Sequence, residues 1–211
     1  MQFFVYGRDR DGAGPTRRAL LKDHWAFMTP YIDAMIARGP TMSADGKAVT
    51  GSLHIVDLAD AEAARVFAED DPLAKGGVFA EVMVRRFDNL SGRTMWQFAG
   101  DPKNPRFLFV GEARPDAARA AGKARAAQRA WLLDPAQARA VIVAGPLLGA
   151  DGESSAGETW AGTAMLLEAS DTAAAEALLR DDPAADLYET AVLRPWRFGG
   201  AENLQDLIAG R

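Results

Sequence analysis

Apolar residues recur along the chain in two rhythms, and the order of those rhythms is itself repeated. Phe3, Phe4, Val5 and Tyr6, ahead of Gly7, are apolar on both parities, which predicts a strand buried on both faces. A loop of turn formers follows (Asp11, Gly12, Ala13, Gly14, Pro15). From Arg17 to Arg38 the period changes. Leu20, His24, Phe27 or Met28, Tyr31 and Met35 recur at steps of three and four, predicting a helix that turns this face, His24 included, toward the sheet. The helix is expected to stop before Gly39-Pro40, with an Asp45-Gly46 turn beyond. Ser52 to Leu58 reads as a strand, with Leu53 and Ile55 on one side and Val56 and Leu58 on the other. An alanine-rich helix then closes at Asp70-Asp71-Pro72, and a last strand carries Phe79, Arg85 and Phe87.

The same series recurs in the second half: Phe107 to Gly111, then Gly145-Pro146, Asp151-Gly152, Gly162 to Glu168, Asp181-Asp182-Pro183, and Tyr188, Arg194 and Trp196. Each copy reads strand, helix, strand, strand, helix, strand, the ferredoxin-like order of an α+β fold. Strands apolar on both sides need cover on both, so the two sheets are expected to pack against each other. The boundaries read as a first repeat over 1–88, a linker over 89–105, a second, degenerate repeat over 106–198 and a tail over 199–211. Inside the linker, Thr94 to Phe98 looks strand-like. In the tail, Leu204, Leu207 and Ile208 have helical spacing. One difference between the copies stands out: Gln128 occupies the place of His24.

Composition narrows the class. The chain has 211 residues, 48% hydrophobic and 25% charged, within the range of soluble globular proteins. No apolar run approaches the roughly 20 residues of a membrane helix, and no signal peptide can be read at the N-terminus, so no membrane role and a cytoplasmic location are expected. Absence of cysteine excludes disulfides, thiolate nucleophiles and Cys-type zinc sites. The net charge of −5 argues against nucleic-acid binding. Arg114, Arg119, Lys123, Arg125, Arg129 and Arg139 read as a solvated helix face. Two histidines without close spacing give little support to a metal site, and Gly12 and Gly14 lack any dinucleotide or phosphate-loop pattern. No cofactor is expected.

Taken together, the opening strands, the helix with His24, the Gly-Pro pairs, the Gly51-Ser52 strand opening, Asp71-Pro72 and the closing strands resemble a tandem YciI-like (YCII-related) domain. The resemblance implies a dimeric α/β-barrel made within one chain, an internal pseudo-dimer that leaves room for a further homodimer. It also implies a candidate active site of one His and one Asp, falling here on His24 and Asp71. A dehydrochlorinase acting on chlorinated hydroxyquinols resembles the same family. Such domains commonly carry a basic residue about one turn before the histidine; Leu21 stands there, and only Lys22, Arg17 or Arg18 could replace it.

A histidine titrating near pH 6.5 suits acid or base work, and a carboxylate on its other ring nitrogen would fix its tautomer. The competing reading makes His24 a packed core residue. Asp71, ahead of a proline, is equally a natural helix N-cap, and Asp182 keeps that role in a copy without the histidine. His54 lies in a strand opposite Met165 of the second copy and reads first as a packed side chain, second as a ligand contact. The expected site is one small-molecule cleft near His24, Asp71, Tyr6 and His54. If the chain is an enzyme, cofactor-independent proton transfer of the lyase or isomerase type fits best. The alternative is a non-catalytic module binding a metabolite or a partner protein.

Overall fold

The computed structural model describes residues 1–149 and 159–199. The first half contains β1 (Gln2–Asp9), α1 (Gly14–Met28), β2 (Met35–Met42), β3 (Val49–Asp57), α2 (Ala61–Asp70), α3 (Pro72–Lys75) and β4 (Phe79–Phe87). The second contains β5 (Arg106–Ala113), α4 (Ala117–Leu132), β6 (Val141–Leu148), β7 (Trp160–Glu168), α5 (Thr172–Arg180) and β8 (Tyr188–Trp196). Each half is the expected βαββαβ unit, elaborated in the first by the one-turn α3. The Asp151-Gly152 turn and the tail helix lie outside the described residues.

The strands close into one antiparallel barrel in the order β1-β3-β2-β8-β5-β7-β6-β4. Both-face burial of the strands has a direct cause in this arrangement. Phe4, Tyr6, Leu53, Ile55 and Phe87 point inward and share one core with Leu108, Val110, Ala164, Leu166 and Trp196 of the other half. The alternate residues point outward to the helices: Phe3, Val5 and Val56 meet Met28 and Phe67, while Phe109, Met165 and Leu167 meet Leu132. The two sheets therefore cover each other inside, and each half's helices cover it outside.

Two sequence expectations are corrected. The helix expected over Arg17 to Arg38 ends at Met28, and Thr29–Ala34 tightens into a 3-10 turn. Pro30 has no N–H with which to continue the helical ladder. The period through Tyr31 and Met35 simply runs on into that turn and into β2. Gly39-Pro40 consequently lies within a strand. Its glycine is needed for a close approach: a Cβ at Gly39 would fall 1.9 Å from the Arg197 carbonyl oxygen, and one at Gly145 would fall 1.8 Å from that of Asp88. These are the two seams of the barrel, where the chain leaving β8 bonds back to β2 (Arg197 N–H to the Pro40 carbonyl, 3.1 Å) and the chain leaving β4 to β6 (Leu90 N–H to the Ala144 carbonyl, 2.9 Å). The second correction concerns Thr94 to Phe98. This piece is a 3-10 turn over Met95–Gln97, with Met95 inserted into the barrel core. Thr94 N–H bonds the Gln97 side chain at 2.8 Å, an exchange that favours the turn over an extended strand.

Candidate functional site

Outside the barrel of the first half, between β1, β3 and α1, the structure gathers charged and titratable side chains in a buried layer. His24, on α1, is 4% exposed. Its Nδ1 lies 2.8 Å from Oδ1 of Asp71. The same oxygen accepts the Leu73 N–H at 2.9 Å, so Asp71 caps α3 and holds the imidazole at once. His54, from β3, stacks at a tilt beside His24 with ring centroids 5.4 Å apart and meets Phe67 edge-on at 5.7 Å. Seven residues before His24 on the same helix face, Arg17 is also buried. It donates Nε to Asp9 Oδ2 at 2.7 Å, Nη2 to Asp9 Oδ1, and Nη1 to Ser52 Oγ at 3.0 Å. Its guanidinium sits over the Phe79 ring, 5.7 Å from the centroid. Phe79 in turn lies across β1 at Gly7, where a Cβ would come within 2.7 Å of the ring.

The electrostatics follow from this crowding. Burial pushes the His54 imidazole well below its ordinary value of 6.5, and the charges of His24, Arg38 and Arg17 add to the shift in that order. His54 is therefore neutral at pH 7. Burial also lowers the pKa of Arg38, which pairs across the strands with His54.

Of the four residues expected around one cleft, His24, Asp71 and His54 come together and Tyr6 does not. Tyr6 is next in β1 to Val5, the partner of His54, and so points to the opposite face, into the barrel, where its hydroxyl lies 3.2 Å from Thr41 Oγ1. Asp9, Ser52 and Arg38 were not singled out as site residues from the sequence, and Arg17 only as one of three candidates for the basic residue near His24. A signal existed for Arg17 and Ser52: Arg17 is two helical turns before His24, and Ser52 is two residues before His54 on one strand face.

The equivalent place in the second half is filled differently. Gln128 donates its amide to Asp182 Oδ1 at 2.8 Å and to the Tyr188 hydroxyl oxygen at 2.8 Å, and accepts from Thr163 Oγ1 at 3.0 Å. Tyr188, the counterpart of Phe79, donates to Asp182 Oδ2 at 2.7 Å. Burial, then the negative charge of Asp182, push the phenol far above its usual value, so it remains a donor. Met165 stands for His54, Thr163 for Ser52 and Ala113 for Asp9. Among the described residues, no group of three or more His, Asp or Glu side chains is arranged to hold a metal ion, and no helix is long and apolar enough to cross a membrane.

A closed barrel built from two βαββαβ units is the architecture of the dimeric α/β-barrel proteins. Chlorite dismutase from Candidatus Nitrospira defluvii has it too, matching 99% of this chain and 94% of its own with a TM-score of 0.56; at 9% identity this likeness shows the fold alone. The YCII-related domain matches residues 1–88 and again 106–197, and the chain belongs to that family. A 5-chloro-2-hydroxyhydroquinone dehydrochlorinase from Burkholderia phenoliruptrix AC1100, solved with 2,5-dihydroxybenzoquinone, is 33% identical, matching 42% of this chain and 94% of its own with a TM-score of 0.40. Among proteins of curated function, none matches.

Proposed function

We propose that the chain is a small-molecule enzyme of the proton-transfer type, with one working site in the first half and none in the second. The observation that carries this reading is the buried His24–Asp71 pair at 2.8 Å beside the Asp9-anchored Arg17, set against a hydrogen-bonded amide network in the equivalent place. The Asp71 carboxylate on Nδ1 favours the tautomer whose proton sits there, which leaves Nε2 with the lone pair of a base. Arg17, two helical turns away and held by Asp9, offers the remaining N–H groups of its guanidinium as donors. Ser52, already accepting from Arg17, keeps its own proton to donate to a substrate oxygen. In this scheme Nε2 takes a proton from an acidic carbon or hydroxyl. The resulting oxyanion is held by Arg17 and Ser52. The proton then returns at another atom, as in an isomerase, or a leaving group departs, as in a lyase. Asp71 is a positioning residue.

Two domains, 1–88 and 106–198 joined by 89–105, would then be a homodimer fused in one chain, freeing the second copy to lose its histidine. The test is a screen of dihydroxybenzenes and 1,3-diketones in deuterated water, reading deuterium uptake or loss of substrate by proton NMR. Any compound turned over should be untouched by His24→Ala protein that retains its circular dichroism and melting transition. Normal turnover by that variant removes the proposal.

The burial of both imidazoles favours a second reading, a non-catalytic module that binds a metabolite or a partner protein, with both histidines as core residues. NMR titration separates the two. A His24 that titrates, and whose pKa moves in Asp71→Asn, supports the poised site; one that never titrates supports the module.

A further inference from the structure

We propose that the barrel itself holds a second small-molecule site, separate from His24, which takes a one-ring aromatic carboxylate with its anionic end on Arg194. A cavity of about 140 Å³ opens between the β1/β4 pair of one half and the β5/β8 pair of the other. That volume is close to the roughly 150 Å³ of an apolar protein cavity known to admit benzene. Its walls are layered by strand register. At the rim, Arg8 pairs with Glu81 at 3.5 Å, while Glu112 accepts from the neutral Thr190 Oγ1 at 3.3 Å and keeps its charge. The neck below is formed by Tyr6, Met83, Val110 and Val192. Leu108 and Arg194, paired across β5 and β8, lie deeper.

Arg194 is four residues along β8 from Thr190, the cross-strand partner of Glu112, a separation of about 13 Å at ~3.3 Å per residue. The Glu112 and Arg194 positions are thus at different depths. Arg194 is partly buried, and among the described residues no hydrogen bond or ion pair engages its side chain. Its counterpart Arg85 instead donates to the Val84 carbonyl at 3.0 Å. A guanidinium left without an acceptor behind an apolar neck calls for an anion that brings its own apolar body. Of the two lining cations Arg8 is paired with Glu81, which leaves Arg194 to match a single negative charge. The acidic groups at the rim disfavour dianions such as phosphate esters.

The probe is benzoate, titrated calorimetrically into the full chain and followed by the ε-methyl signal of Met83 in methionine-labelled protein. Saturable binding with a shift of that methyl is expected. Benzyl alcohol should bind at least about tenfold more weakly, since it forgoes the charged contact. Arg194→Gln should cost benzoate about tenfold or more, and Met83→Trp, which fills the neck, should abolish binding. His24→Gln should leave it unchanged. No saturation at millimolar benzoate, or binding indifferent to Arg194→Gln and Met83→Trp, overturns the proposal. Binding lost with His24→Gln and kept with Arg194→Gln also overturns it, and places the ligand at the helix-side site instead.

Discussion

At His24 and at Gln128 the same backbone supports two opposite solutions to one burial problem. Both side chains sit on the first helix of their half, 4% and 3% exposed, and both face the aspartate of an Asp-Pro pair. In the second half the amide, Tyr188, Thr163 and Asp182 engage one another, and only one formal charge is buried among them. In the first half two arginines, two aspartates and two histidines are packed into the same layer. The lesson is that the scaffold does not require the charges. Burying them is costly, and the second copy shows that the same scaffold can be satisfied without them.

The comparison is sharpened most by removing Arg17. Arg17→Met leaves Asp9 buried without its partner and should cost about 3–5 kcal/mol in urea unfolding. A loss under about 1 kcal/mol would mean that the pair is not what holds the first site together. Next, Asp182→Ala should cost about 2–3 kcal/mol, since it strands the Gln128 amide and the Tyr188 hydroxyl; Asp71→Ala, with fewer donors to abandon, should cost about 1–2 kcal/mol. The reverse order would break the view that the second site is the more tightly satisfied of the two.

His54 offers a pH test that Met165 cannot. Its pKa in the folded chain lies below 6.5, so the unfolded chain takes up the proton first. The stability that this group contributes is therefore complete above about pH 6.5 and is lost as pH falls toward the folded value. The loss should run at about 1.4 kcal/mol per pH unit, read as the difference between wild type and His54→Met in denaturant melts at pH 7 and 5.5. Parallel pH dependences would show that His54 is not buried neutral. The smallest effect on stability belongs to His24→Gln. Gln128 shows that an amide can bond the aspartate of the Asp-Pro pair, so the change should stay within about 1 kcal/mol in thermal melts while removing turnover.

The sequence alone determined much of this protein. Alternation in β1 and β3 required cover on both strand faces, and the repeated order of elements named the unit. Asp71 was legible as a helix cap because capping is local, a matter of a carboxylate two residues from the N–H it accepts; Asp182 makes the same local bond to the Ala184 N–H, but in a turn, and caps no helix. The bend at Met28 was missed because a helical period continued into the 3-10 turn, and periodicity is blind to where a strand will claim the chain. Only the tertiary structure decided which face each candidate occupies. Tyr6 and Val5 are neighbours in sequence, yet one enters the barrel and the other meets the helix layer that holds His24. Arg17 joined the site because Asp9 and Ser52, on two different strands, converge on its guanidinium. Such convergence is set by long-range strand register and barrel closure, and no local pattern in the chain encodes it.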